Sequence, residues 1–294
     1  MKIPSESIEE AVFKTASSQI SALTINKNSN NIILCLHGWL DNAASFTPLF
    51  EYLDVKDDFN VIAIDLPGHG ASSHKSVDAH YHFIDWVYDI LALFESNKWT
   101  NVHIVGHSMG GMIASAFAAA FPEKVKSLTL IDSIGFIYGD EAESTSVLRK
   151  GMLSRIKASS APTINRKSST LSLDIAVRAR VLISDLEYRH AELIVSRNLL
   201  YTKGQWSWRS DRKLNTISPY RLSLTQCKQI ISDIKIPVQV IYGSKGLDFV
   251  RKGIELFCPL MPCKKIVELE GGHHVHMEKP KETAKLISEF VTSI

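Results

Sequence analysis

Asn101 to Phe121 reads NVHIVGHSMGGMIASAFAAAF. A β-rich run, Val102 to Val105, meets a glycine, a serine and two more glycines, then a run of small residues with strong helix propensity. The pattern predicts strand, sharp turn, helix. Gly106-His107-Ser108-Met109-Gly110 fits G-x-S-x-G, in which the serine occupies a strained tip and the glycines remove Cβ atoms that would strike neighbouring backbone. The hydroxyl then stands at the carboxyl edge of a sheet, above a helix N-terminus whose free N–H groups favour developing negative charge. A glycine-rich turn with an incidental serine fits the same five letters. The flanking strand and Ala114, Ala116, Ala118, Ala119 and Ala120 favour a nucleophile elbow instead.

Upstream, Ile32–Leu36 (IILCL) and Val61–Asp65 (VIAID) read as strands, the first a continuous apolar run of the kind buried on both faces. Ala11–Ile25 alternates in part and then meets the turn-forming run NKNSNN, which suggests an opening antiparallel pair. Between Tyr81 and Trp99, Ile84, Val87 or Tyr88, Leu91 and Phe94 recur at helical spacing, the apolar face of a helix packed on the sheet. Downstream come the strands Val125–Asp132, Pro237–Gly243 and Lys264–Leu269. Strands alternating with helices predict an α/β fold whose mostly parallel central sheet is flanked by helices, with active groups at the strands' carboxyl ends.

Residues 133–234 read differently. They are rich in Ser, Arg and Lys, with helical segments at Ser146–Lys157, Leu173–Leu182 and Leu186–Leu200 and an aromatic patch at Trp206 and Trp208. A helical cap of residues 133–234, inserted between two late strands of a core made of residues 1–132 and 235–294, explains the shift and would cover the serine. Trp206 and Trp208 fit cap core better than a substrate platform.

A chain of 294 residues, 45% hydrophobic, can bury a sizeable core. Its 33 basic and 31 acidic residues nearly cancel, and no basic cluster interleaves with aromatics, which argues against nucleic acid as a partner. MKIPSESIEEAVFK lacks the apolar stretch of a signal peptide, and no run of about 18 apolar residues could span a membrane. The expectation is a soluble, cytoplasmic protein. Cys35, Cys227, Cys258 and Cys263 form no CxxC pair and no zinc spacing, so they read as reduced structural thiols, with no metal or cofactor expected.

The chemistry gathers in loops. After the first inner strand come His37, Gly38 and Trp39. Gly38 lets backbone approach the site, and the Trp39 N–H is assigned with the Met109 N–H to an oxyanion hole. His37, Gly38 and His107 are placed in the substrate pocket. Asp65 and His69 resemble a catalytic pair, but Asp65 fits better as an anchor for turn backbone. After the last strand, His273 follows two glycines in the loop where a general base would be delivered, with His276 as the second candidate.

HGW, DLPGHG, GHSMGG and GGHxxHxExP, in this order with a cap between, resemble the α/β-hydrolase superfamily over nearly the whole chain. HGWLDNAASF, YHFIDWVYDI and WSWRSDRKL resemble the serine hydrolase-like family within it. The resemblance implies a serine hydrolase with a Ser-His-acid triad, Ser108 and His273 among its members, acting on a small-molecule acyl substrate. A carboxylic ester or thioester comes first, C–C bond hydrolysis second. One position departs from the superfamily pattern. The usual acid would stand at Gly246, so the carboxylate falls to Asp132, at the end of the strand after the elbow, or to Asp248. That gap also motivates a different class of reading, a degenerate hydrolase serving as a receptor or binding module.

Overall fold

The computed structural model describes residues 8–27, 29–55, 58–160 and 171–294. Strands β1 (Glu9–Lys14), β2 (Gln19–Ile25), β3 (Ile32–Leu36), β4 (Asn60–Ile64), β5 (Val102–His107) and β6 (Val125–Ile131) precede a hairpin of β7 (Leu199–Thr202) and β8 (Gln205–Trp208). β9 (Val238–Gly243) and β10 (Cys263–Leu269) follow. The helices are α1 (Thr47–Phe50), α2 (Phe83–Asn97), α3 (Met109–Ala120), α4 (Ser144–Ser160), α5 (Leu173–Leu182), α6 (Tyr188–Asn198), α7 (Leu224–Ser232), α8 (Asp248–Phe257), α9 (Val275–Glu278) and α10 (Pro280–Thr292).

Eight strands form one sheet in the order β1-β2-β4-β3-β5-β6-β9-β10. β2 runs antiparallel to both neighbours and the strands from β4 to β10 run parallel. The opening pair forms as expected, but it turns at Thr15–Ser18, and the NKNSNN run instead connects β2 to β3. β3 shows why an inner strand reads as unbroken apolar sequence. Ile32, Leu34 and Leu36 enter the core on one face, with Phe94 and Phe117, while Ile33 and Cys35 enter the other, with Phe46, Phe50 and Ile287.

Between β6 and β9 the chain departs from the sheet. α5 and α6 build a small core of their own from Ala176, Val177, Ala191, Ile194 and Val195, against which Trp206 and Trp208 pack half-buried. The two tryptophans are therefore internal packing. The segment is not wholly helical, because the WSW run forms β8; nor does all of it leave the core, because Cys227 and Ile231 of α7 join the core beneath α3. Residues 1–7 of the quoted N-terminus and 161–170 of the segment lie outside the described residues. All four cysteines are free thiols; Cys35 and Cys227 are buried, and the Sγ atoms of Cys258 and Cys263 lie 3.2 Å apart.

Charge joins the inserted segment to the sheet. Arg197 of α6 places its Nε 3.0 Å from both carboxylate oxygens of Asp65 and its Nη1 2.6 Å from Glu10. Asp65 is fully buried and also accepts the Ala43 and Ala71 N–H groups, each at 2.8 Å. It is the turn anchor the sequence suggested. Arg197→Ala leaves that carboxylate buried without a counter-ion, which ordinarily costs about 3–5 kcal/mol. The two remaining N–H bonds place the expected loss at the low end, about 3 kcal/mol, read by urea denaturation against wild type.

Candidate active site

Ser108 joins β5 to α3 at φ 50° and ψ −119°, a conformation that costs a non-glycine residue about 1–3 kcal/mol and persists only when its surroundings enforce it. They do. The Ser108 N–H donates to Ile131 O at 3.1 Å, and Ser133 Oγ donates to Ser108 O at 2.7 Å. A Cβ on Gly106 would stand 2.6 Å from Gly111 Cα, and one on Gly110 would stand 2.1 Å from Leu36 O. Both glycines are thus required by close backbone approach, and strand, sharp turn and helix follow one another as the sequence predicts.

The loop after β10 brings His273 to the serine. Its Nε2 lies 3.0 Å from Ser108 Oγ, and its Nδ1 lies 2.6 Å from Asp132 Oδ2. An ionised carboxylate only accepts, so Nδ1 carries the proton and Nε2 presents its lone pair to the serine hydroxyl. Asp132 follows β6 at φ 41°, is buried, and accepts the Gly243 N–H on Oδ1 at 3.1 Å and the Leu247 N–H on Oδ2 at 3.3 Å.

The departure at position 246 has a steric counterpart. A Cβ on Gly246 would lie 2.3 Å from Asp132 Oδ1 and 2.8 Å from Asp132 Cγ and Oδ2. The Asp132 carboxyl fills the space that any side chain at 246 would need. Asp248, the other candidate acid, is exposed at the start of α8, and the ring nitrogen it would have to meet is bonded to Asp132. His276 is fully buried against Phe46 and His107, and neither of its ring nitrogens has a hydrogen-bond partner.

Beside Ser108 lies a cleft of about 630 Å³. Gly38, Trp39 and His107 line it; His37 does not. His37 is fully buried, donates from Nδ1 to Gly38 O at 2.7 Å and accepts the Leu66 N–H on Nε2 at 2.9 Å. Burial pushes its pKa down to about 4, so it is a neutral splice between two loops and not a pocket wall. Gly38 suits the tight passage of the loop past His107 and Asp41, since a Cβ there would lie 3.0 Å from His107 Nδ1 and 3.1 Å from Asp41 Oδ2. Met109 opens α3, where backbone N–H groups lack acceptors within the helix. Trp39 is half exposed, and its indole N–H donates to Leu214 O at 3.2 Å, tying the cleft wall to the inserted segment.

Sequence reading missed the charged side of the cleft. Arg180 and Asp185 come from the inserted segment, Asp41 from the loop after β3 and His274 from the loop after β10. Arg180 Nη2 lies 2.6 Å from Asp41 Oδ1; His274 lies 3.2 Å from Asp41 through Nε2 and 2.7 Å from Asp185 through Nδ1. Burial works against the Asp41 charge, but His274, His107 and Arg180 outweigh it and hold its carboxyl well below the usual range. Burial likewise disfavours a cationic His274, yet Asp41 and Asp185 raise its pKa to about 9. His107, dominated by burial, falls to about 4. Nothing in the sequence flags this cluster, whose members come from three distant parts of the chain.

Among the described residues no helix is long and apolar enough to cross a membrane. A family model described as alpha/beta hydrolase fold matches residues 31–280. A serine hydrolase-like protein of Danio rerio is 31% identical over 266 residues, covering 88% of this chain and 81% of that protein. Serine hydrolase-like protein 2 of Homo sapiens is 30% identical over 279 residues, covering 88% and 86%. The crystal structure of a hypothetical protein from Pseudomonas aeruginosa superposes with a TM-score of 0.86 at 27% identity, covering 97% of this chain and 99% of that one.

Proposed function

The chain is a hydrolase belonging to the alpha/beta hydrolase fold family, and from that premise we propose that it cleaves carboxylic esters or thioesters through a Ser108–His273–Asp132 triad. The observation that carries the reading is the unbroken path from Ser108 Oγ to His273 Nε2 at 3.0 Å and from His273 Nδ1 to Asp132 Oδ2 at 2.6 Å. Ser108 attacks the acyl carbon as His273 takes its proton, and the imidazolium that forms is stabilised by Asp132. The negative oxygen is received by the Met109 and Trp39 N–H groups, each worth about 2.7–4 kcal/mol of transition-state stabilisation. His273 then protonates the leaving group and later activates the water that releases the acid. Residues 133–234 act as the cap, contributing Arg180, Ile183 and Asp185 to the cleft wall.

A serine at the elbow favours acyl transfer, since it supplies an alkoxide-like nucleophile that leaves a hydrolysable ester. The receptor reading rested on the missing acid at Gly246, and it loses its motive once Asp132 stands in that space.

Wild-type protein is expected to be labelled by a fluorophosphonate probe and to turn over short and medium acyl p-nitrophenyl esters, while Ser108→Ala does neither. A β-diketone in the same panel reads C–C cleavage. Ester turnover no greater than that of Ser108→Ala would overturn the proposal.

A further inference from the structure

We propose that Asp41, His107 and His274 form a binding site for a transition-metal dication of the zinc type in the wall of the cleft. The three side chains are almost fully buried, and ligand atoms on them lie within 4.8 Å of one another.

Hydrogen bonds assign the ring nitrogens. His107 Nε2 lies 3.0 Å from His273 O, and a carbonyl oxygen only accepts, so Nε2 carries the proton and Nδ1 carries the lone pair. That Nδ1 is buried, has no hydrogen-bond partner and faces Asp41 Oδ2 at 3.6 Å. A lone pair turned toward a carboxylate is repulsive, whereas a cation between them attracts both. His274 has a carboxylate behind it, with Nδ1 2.7 Å from Asp185 Oδ1, and donates from Nε2 to the same Asp41 oxygen at 3.2 Å, so a metal ion takes the place of that Nε2 proton. This is the carboxylate–histidine–metal arrangement that orients a ligating imidazole and raises its basicity.

Zinc takes nitrogen and oxygen ligands at about 2.0–2.2 Å, which sets tetrahedral ligand atoms about 3.3–3.6 Å apart. The two separations from Asp41 Oδ2, 3.2 and 3.6 Å, are close to that spacing, and the two histidine nitrogens lie within 4.8 Å of each other. Three protein ligands leave a fourth position, and all three residues border the cleft. Arg180 opposes the ion. Its guanidinium sits 2.6 Å from Asp41 Oδ1, leaving Oδ2 free but adding positive charge beside it. Displacing the Nε2 proton also removes the hydrogen bond that His274 donates to Asp41. Sequence spacing shows no zinc pattern because the ligands come from three distant segments, the loop after β3, the end of β5 and the loop after β10.

Zn²⁺ titrated into the purified full chain against a fluorescent chelator is expected to show one strong site. Co²⁺ at the same site should give the intense visible bands of a tetrahedral complex. His107→Gln and His274→Gln should abolish the site, and Asp185→Asn should weaken it about 10–100-fold. Arg180→Gln should tighten binding, a change that damage to the fold would not produce. No strong site in wild type, an undiminished site in His107→Gln and His274→Gln, or weaker binding in Arg180→Gln would each overturn the proposal. The measurements use no substrate, and Ser108→Ala should bind Zn²⁺ as wild type does, so the outcome is independent of the proposed hydrolysis.

Discussion

Asp132→Asn is expected to lower turnover about 10⁴-fold, equivalent to about 5.5 kcal/mol at the transition state, with the fold and the position of Ser108 retained. The argument is one of proton placement. Asp132 Oδ1 accepts the Gly243 N–H at 3.1 Å, while Oδ2 faces His273 Nδ1 at 2.6 Å and the Leu247 N–H at 3.3 Å. An asparagine that keeps its carbonyl on Gly243 turns its NH₂ toward His273. That group donates to Nδ1, forcing the ring proton onto Nε2, where it can no longer accept from Ser108. The flipped amide restores the contact to His273 but sets NH₂ against the Gly243 N–H, two buried donors face to face, so the first rotamer prevails. Asp248→Asn serves as the comparison and should keep wild-type turnover. Measuring kcat/KM of both variants on one ester decides the matter: loss in Asp248→Asn with activity kept in Asp132→Asn would reverse the assignment.

What was legible in the sequence follows from how local each determinant is. The elbow could be read because its requirements lie within a few residues: a strand, two glycines forced by backbone contacts, a serine and a helix of small residues. The strands could be read because two-sided burial leaves a plain apolar run, as in β3. The acid stayed ambiguous because the choice between Asp132 and Asp248 turns on how the loops after β6 and β9 pack together. His37 was misplaced because the HG pair marks a loop near the site without showing which way the ring turns; here it turns inward to Leu66. Arg180 and Asp185 were hidden in a segment whose Ser, Arg and Lys content reads as solvated surface, whereas their partners Asp41 and His274 belong to motifs at opposite ends of the chain. β7 and β8 escaped notice because a four-residue hairpin strand gives too few alternations to separate from an aromatic helix turn.

Gly246→Asp, which restores a carboxylate to the customary position, is expected to inactivate the enzyme. The added Cβ would stand 2.3 Å from Asp132 Oδ1, so either the loop after β9 moves out or Asp132 is pushed off His273. Over-packing of this kind costs about 1–3 kcal/mol of stability, and the second carboxylate adds like-charge repulsion at a site that holds one anion with two N–H groups. If Asp132 is displaced, turnover falls by the same order as in Asp132→Asn, about 10⁴-fold. A second change separates crowding from chemistry. Asp132→Gly empties the space, and the residue there has φ 41°, a conformation glycine adopts without strain. The double variant Asp132→Gly with Gly246→Asp should therefore turn over esters faster than either single variant, because one carboxylate again faces His273 without a rival. Steady-state kinetics and urea denaturation on all three variants check this. Wild-type turnover in Gly246→Asp alone would show that Asp132 does not need the space beside Gly246, and with it the account of how this chain replaces its customary acid would fall.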